Sequence, residues 1–306
     1  MSRREPKDLA ASVRQRLLNR SRTRGEDFNL TLTRFGIERF LFRLSRSPYA
    51  GRFVLKGGML SPLWAGETYR PTRDLDVLAS GDPSAERLAD MVREVCKTKV
   101  RPDGLEFDLD SVRVEEIRGA QEYDGLRARV AARLGNARVA VQMDVGYGDA
   151  VTPEPTEHTF PTLLADLPAP RVRVYPPETV VAEKLEAMVR FGPVFSRMKD
   201  LYDLWAISRR FRFDGEILCR AVGATFSRRQ TGIPVGVPAP LTEEFAARSG
   251  NAAQWQAFLG AHGLANSAPA LENVVAHLRA FLLPVLEAAR GEEPPPMWPK
   301  GGPWSR

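Results

Sequence analysis

Cysteine is nearly missing from this 306-residue chain. Cys96 and Cys219, the two present, stand too far apart to frame a disulfide scaffold or a metal knuckle, so both read as ordinary thiols of a reducing compartment. Histidine is scarce as well. His158, His262 and His277 share no ligand spacing, which argues against a histidine metal site. No apolar run approaches the ~20 residues needed to span a bilayer, and the first residues lack a signal-type apolar segment. No internal repeat is present. These absences lead us to expect a cytoplasmic protein with no membrane partner, monomeric by default. The length is enough for a full core, arranged as two domains or as one with a large helical extension.

What is present is concentrated in two adjoining stretches. Phe53-Val54-Leu55-Lys56-Gly57-Gly58 reads as a buried strand ending in a tight glycine turn, with Met59 to Ala65 as a short helix. Backbone N–H groups at such a turn attract phosphate oxygens without needing side chains. Arg70-Pro71-Thr72-Arg73-Asp74-Leu75-Asp76-Val77 follows. Side chains alternate along a strand, so Asp74 and Asp76 share one face while Leu75 and Val77 pack on the other. Two such carboxylates can share a pair of Mg²⁺ ions roughly 3.5–4 Å apart, one activating an attacking oxygen and one neutralising a leaving phosphate. A lone Asp-X-Asp or a lone Gly-Gly would mean little; their succession reads as a phosphate-and-metal site.

Charge is distributed unevenly. The net charge is +6, yet residues 1–50 hold twelve Lys or Arg against five Asp or Glu, so the remainder is nearly neutral. A basic segment beside an acidic metal site suits a polyanion such as RNA, whose phosphates release counterions when neutralised. A solvated amphipathic face explains the same pattern.

Hydrophobic spacing places helices over residues 8–24 and 28–45, and another from Ser84 to about Cys96. Strands are expected over 112–117, 127–134 and 137–147, with Gly135-Asn136 as a hairpin turn. In the last strand Asp144 shares the face of Gln142, opposite Met143 and Val145, and that strand could lie beside the one carrying Asp74. Asp149, in a glycine-rich turn, reads better as a turn residue. The proline-rich stretch 152–177 reads as a connection. Helices follow over 177–191 and from Arg197, then over 241–263 and 271–290, and the tail from Gly291 is expected to be disordered or partner-binding. Lys184 falls in the apolar stripe of its helix, where it either snorkels to solvent or points its ammonium into a cleft. Asp200 and Asp203 share a helix face and could pair with Arg197 and Lys199. The arginines of Phe226-Ser227-Arg228-Arg229 could touch a nucleotide or RNA, or complement a helix C-terminus.

Strand, Gly-Gly, short helix and Asp-X-Asp in that order resemble the core of the nucleotidyltransferase superfamily related to DNA polymerase β. Lys56-Gly57-Gly58-Met59-Leu60, Arg70 to Asp76, Lys184 and Lys199-Asp200-Leu201-Tyr202-Asp203-Leu204 together resemble the AbiEii/AbiGii abortive-infection toxins, the group that includes the MenT toxins. The resemblance runs from about Arg14 to about Arg229. It implies an α+β fold, with a polymerase β-like mixed-sheet core over 51–175, N-terminal helices of residues 1–50 packed on it, and a helical C-terminal domain over 176–290. It implies a Mg²⁺-dependent enzyme, with Mn²⁺ as an alternative, that moves a nucleotide from an NTP, often a pyrimidine one such as CTP or UTP, to the 3′ end of tRNA and so stops translation. It also implies a cognate antitoxin partner. On that basis Asp74, Asp76 and Asp144 would bind metal, Asp144 completing the triad and activating the acceptor. Lys56, Gly57, Gly58, Thr72, Arg73 and Lys184 would hold the nucleotide. Lys184 and Asp200 match functional positions of the family, Asp200 being favoured over Asp203. The family pattern usually has Arg before this Asp where Lys199 stands here, which loses the guanidinium fork. Two other readings remain: a transferase acting on a protein or small molecule, and a nucleotide-binding interaction module without chemistry.

Overall fold

A computed structural model describes residues 8–65, 72–81, 83–117, 125–265 and 267–305. The chain divides into two compact units, Met1–Gly148 with Thr156–Val174 and Asp149–Pro155 with Tyr175–Arg306.

The first unit opens with two helices, α1 (Leu9–Arg24) and α2 (Phe28–Arg46). Each starts under an aspartate cap, Asp8 accepting from the Ala11 N–H and Asp27 from the Leu30 N–H. Strand β1 (Phe53–Lys56) runs into a 3₁₀ turn (Gly57–Leu60) and a short helix α3 (Ser61–Ala65). Then come β2 (Leu75–Ala79), α4 (Ala85–Lys97), β3 (Leu105–Ile117), β4 (Gly125–Leu134), β5 (Ala137–Tyr147), β6 (Thr156–Thr159) and β7 (Arg171–Val174). The seven strands form one mixed sheet in the order β3-β4-β5-β2-β1-β7-β6. Strand β5 runs parallel to β2, and β7 runs parallel to β1.

The two faces of this sheet differ. Val139, Val141, Met143 and Val145 of β5, and Leu126, Ala128, Val130, Ala132 and Leu134 of β4, are buried, while the residues between them are not. That alternation is what one helix-covered face and one wet face require. Val13 and Leu17 of α1 and Leu32 and Phe35 of α2 join Leu134 and Val139 in one apolar cluster. Helix α2 approaches closely because of Gly36, where a Cβ would lie 2.6 Å from Val139 Cγ1. The covered side also holds ionic pins. Arg43 grips Asp103 at 2.7 and 3.0 Å, and Arg39 pairs with Glu38 at 2.7 Å.

The second unit is helical apart from one two-stranded ribbon. It comprises α5 (Pro177–Phe191), α6 (Met198–Arg210), β8 (Phe213–Asp214), α7 (Gly215–Arg228), α8 (Glu243–Ala247), α9 (Ser249–Ala261), α10 (Leu271–Ala288) and β9 (Met297–Trp298). Helix α10 is its axis, burying Val274, Leu278, Phe281, Leu282 and Val285. No helix of the described residues is long and apolar enough to cross a membrane.

Four expectations need correction. The stretch 152–177 is more than a connection, since β7 buries Val172 and Val174 and extends the sheet beyond β1. Four-residue strands between prolines leave too short a pattern to recognise. Strand β3 begins at Leu105, well before residue 112, and is interrupted by a register shift between Asp108 and Arg113. The helix expected over 241–263 is broken at Arg248, whose extended backbone (ψ 122°) separates α8 from α9. The tail is ordered through residue 305. Strand β9 pairs with β8, Trp298 is buried against Phe281 at 4.7 Å, and its indole N–H donates to the Ser208 carbonyl at 2.7 Å. Tryptophan supplies large buried area with a single polar atom to satisfy, so a proline-rich segment can still dock. Arg70 and Pro71 lie outside the described residues.

Candidate active site

Strand register assembles the wet face of the first unit. Asp76 on β2 lies between Lys56 on β1 and Asp144 on β5, each directly opposite it. Asp74 immediately precedes β2, and its Oδ1 accepts a 3.0 Å hydrogen bond from Gln142 Nε2. The expectation that the Asp144 strand flanks the Asp76 strand therefore holds, and the pairing is parallel.

Gly57 is required here twice over. Its φ of +67° is left-handed, and a Cβ would fall 2.0 Å from Asp76 Oδ2. Only hydrogen at this position lets the glycine turn close over the carboxylate. Gly58 follows in the 3₁₀ turn and is buried. Thr72 is also buried, its hydroxyl 3.5 Å from the Asp74 carbonyl, while Arg73 is exposed.

Arg127 was not anticipated. Its Nε donates to Asp144 Oδ1 at 2.8 Å and a terminal nitrogen donates to Oδ2 at 2.7 Å, a two-point fork. The hydrogen bonds to Asp144, reinforced by the charges of Asp144 and Asp74, raise the guanidinium above its ordinary value. The hairpin held the clue. Leu134 pairs with Ala137 across the Gly135-Asn136 turn, and seven residues further along each strand Arg127 meets Asp144.

Asp74 and Asp76 offer hard oxygens on one face, a donor chemistry that fits Mg²⁺ or Mn²⁺ with phosphate oxygens and water completing the shell. Among the described residues no three Asp, Glu, His or Cys side chains gather as a complete metal site. Asp144, on the same face, has both oxygens hydrogen-bonded by Arg127.

The remaining candidates belong to the second unit. Lys184 on α5 neither snorkels freely nor stands alone: Nζ donates to Asp200 Oδ1 at 2.6 Å and to Asp203 Oδ2 at 3.0 Å, both on α6. Arg197 Nε lies 2.7 Å from the other Asp200 oxygen. Asp200 is the more deeply buried of the two acids, 1% exposed against 14% for Asp203. Arg229 is enclosed by Glu186 at 2.9 Å, Asp149 at 3.1 Å and Glu183 at 3.4 Å. Burial opposes its charge, but these carboxylates outweigh it and hold the guanidinium above its usual value. Asp149 and Arg229 are thus a structural pair. Cys96 and Cys219 are free thiols that burial pushes up to about 12 and about 11, which suits inert cysteines.

Among known proteins, the sequence matches the family model described as "Nucleotidyl transferase AbiEii toxin, Type IV TA system" over residues 39–277. No curated protein matches it. Two solved structures from Helicobacter pylori are similar: JHP933 at 15% identity and TM-score 0.48, covering 87% of this chain and 94% of that one, and a candidate nucleotidyltransferase at 14% and 0.46, covering 87% and 96%. The matched span is more than three quarters of the chain and contains the glycine turn, the Asp-X-Asp strand, Lys184 and Asp200. This chain belongs to the AbiEii nucleotidyl transferase toxin family of type IV toxin–antitoxin systems.

Proposed function

We propose that this nucleotidyltransferase moves a nucleoside monophosphate from an NTP, a pyrimidine one such as CTP or UTP, onto the 3′ end of tRNA, and that loss of usable tRNA blocks translation until a cognate antitoxin intervenes. The observation that carries the reading is the register that sets Asp76 between Lys56, Asp144 and the Gly57 turn. In the proposed reaction the acceptor's 3′ oxygen forms a bond to the α-phosphorus, pyrophosphate leaves, and the hydroxyl proton passes to a base.

Each role follows from the chemistry of its position. Backbone N–H groups at Gly57 and Gly58 hold phosphate oxygens, with the Lys56 ammonium on the same face adding positive charge. Asp74 and Asp76 would hold the divalent ions, which when bound neutralise charge building on the phosphates. Asp144 serves as the third carboxylate, and it takes the acceptor's proton on an oxygen that leaves the Arg127 fork. Thr72 and Arg73 lie at the approach to Asp74 and bind the polyphosphate. Lys184 and Asp200 act on the strength of the family resemblance. Catalysis is then positioning and charge neutralisation.

The test is incubation of the purified protein with total tRNA, Mg²⁺ and each α-³²P-labelled NTP, beside an Asp74→Ala/Asp76→Ala variant. Label on tRNA from wild type alone supports the reading and identifies the nucleotide. Label on neither points instead to a protein or small-molecule acceptor, or to nucleotide binding without chemistry.

A further inference from the structure

On the helix-covered side of the first unit, arginines line up in a way the transfer site does not use. Arg16, Arg20 and Arg24 recur every four residues on one face of α1, and like charges at that spacing repel by a few tenths of a kcal/mol each. Arg16 is neutralised by Asp166. Arg20 and Arg24 turn instead toward Arg34 of α2, and the three line a crease of about 70 Å³ with Glu38, Met59 and Pro62.

Among the described residues, arginines outnumber acids in the crease. Glu26 is shared between Arg34 at 3.4 Å and Arg24 at 3.9 Å. Glu38 is engaged by Arg39 and by the Leu163 N–H. Arg20 makes no ion pair with a described residue, and its buried Nε has no hydrogen-bond partner. Arg34 keeps only 11% of its side chain exposed. Burial, and then Arg24, lower the Arg20 guanidinium against the pull of Glu26 and Glu38; burial lowers Arg34 chiefly, Glu26 opposing and Arg20 and Arg24 contributing. Among the described residues, Arg20, Arg24 and Arg34 face only Glu26 and a Glu38 already paired with Arg39, so positive charge is in excess in a space the size of a small anion.

We propose that Arg20, Arg24 and Arg34 form a seat for a backbone phosphate of the RNA acceptor. Guanidinium forks match phosphate oxygens in pairs, and an anion would relieve both the mutual repulsion and the unsatisfied Nε. Met59 and Pro62 belong to the turn and helix that follow Gly57, so the seat borders the segment that closes over Asp76. The seat lies on the helix-covered side, joined to the transfer face through the turn and short helix that carry Met59 and Pro62. This assignment rests on RNA being the acceptor.

The test reads binding without NTP. Fluorescence anisotropy of a 5′-fluorescein tRNA transcript is measured across a salt series for the full chain, for Arg20→Gln/Arg24→Gln, and for Arg93→Gln/Lys97→Gln as a control of equal charge change on α4. Loss of phosphate contacts should weaken binding about tenfold and flatten the log–log salt dependence by about one, with Arg20→Lys, which keeps the charge and loses the fork, falling between wild type and the double variant and the control unchanged. Equal affinity and slope in the seat variant overturn the proposal, as does a wild type that binds no tRNA. Calorimetric titration with sodium tripolyphosphate separates the sources: arginine-dependent heat with unaltered tRNA binding would make the ligand a free phosphate compound and overturn the RNA assignment. A wild type that binds tRNA through these arginines but transfers nothing would refute the transfer reading alone.

Discussion

Arg127 holds both oxygens of Asp144, at 2.8 and 2.7 Å, from the neighbouring strand of the same wet face. A cation in that place lowers the negative charge a triphosphate meets as it approaches Asp74 and Asp76. Arg127→Ala should therefore raise the KM for NTP about tenfold, a loss of about 1.4 kcal/mol, and Arg127→Lys should recover only part because it lacks the fork. Steady-state kinetics check this. An unchanged KM in the alanine variant would leave Arg127 with the single task of positioning Asp144.

Gly57→Ala places a methyl group 2.0 Å from Asp76 Oδ2 in a left-handed backbone. Transfer should be abolished, and stability should fall by about 1–2 kcal/mol from the backbone alone. The double variant Gly57→Ala/Asp76→Ala removes the contacts with Oδ2 at 2.0 Å and Cγ at 2.7 Å and leaves the one with Cβ at 2.8 Å, so urea denaturation should show part of the stability regained while transfer stays absent. No regain would mean that the clash is absorbed elsewhere.

Lys184 sits between two acids, one of them nearly inaccessible. Removing the ammonium leaves Asp200 with Arg197 as its remaining ionic partner in this cluster, and Lys184→Ala should cost about 3 kcal/mol. A cycle with Asp200→Ala should give a double variant less damaged than the sum of the singles. Transfer assayed well below each variant's Tm separates roles: activity lost from fully folded Lys184→Ala assigns the lysine a chemical part, whereas full activity confines it to holding α5 against α6.

Burial raises the Glu38 carboxyl to about 6, against an ordinary 4.5, with Arg39 opposing. The folded state therefore binds this proton more tightly than the unfolded chain does. Below about pH 4.5 both states are protonated; as pH rises through the window from 4.5 to 6 this group's contribution falls by about 2 kcal/mol and then stays level. Denaturant midpoints across pH 4 to 7.5 should show that component in wild type and lack it in Glu38→Gln. Identical pH profiles would show that Glu38 titrates alike in both states.

Truncation after Gly291 removes Trp298 from Phe281 and takes away the indole donor on Ser208. Trp298→Ala alone should cost about 3–5 kcal/mol, read as a lower Tm, and the truncation should cost at least as much. A Tm unchanged by either would return the tail to the disordered state its prolines suggested.

Much of this protein was legible because its signals are local. The apolar spacing of α1 and α2, the alternation of β4 and β5, and the two residues of the Gly135-Asn136 turn each act within a few residues, so element type and hairpin register follow from short-range sterics and face burial. The Gly57 turn and the Asp74/Asp76 alternation were readable for the same reason. Counting from that turn would even have found Arg127.

Tertiary structure decided the rest, because it depends on which distant faces the chain covers together. Nothing near Arg171 announces that Val172 and Val174 will lie beside β1, since parallel pairing over more than a hundred residues leaves no turn to read. Lys184 in an apolar stripe was ambiguous until α6 brought Asp200 and Asp203 to its ammonium. Arg16, Arg20 and Arg24 look alike along α1; only the packing of Asp166 on one and of Arg34 beside the others makes the first neutral and leaves the last two in an electropositive crease.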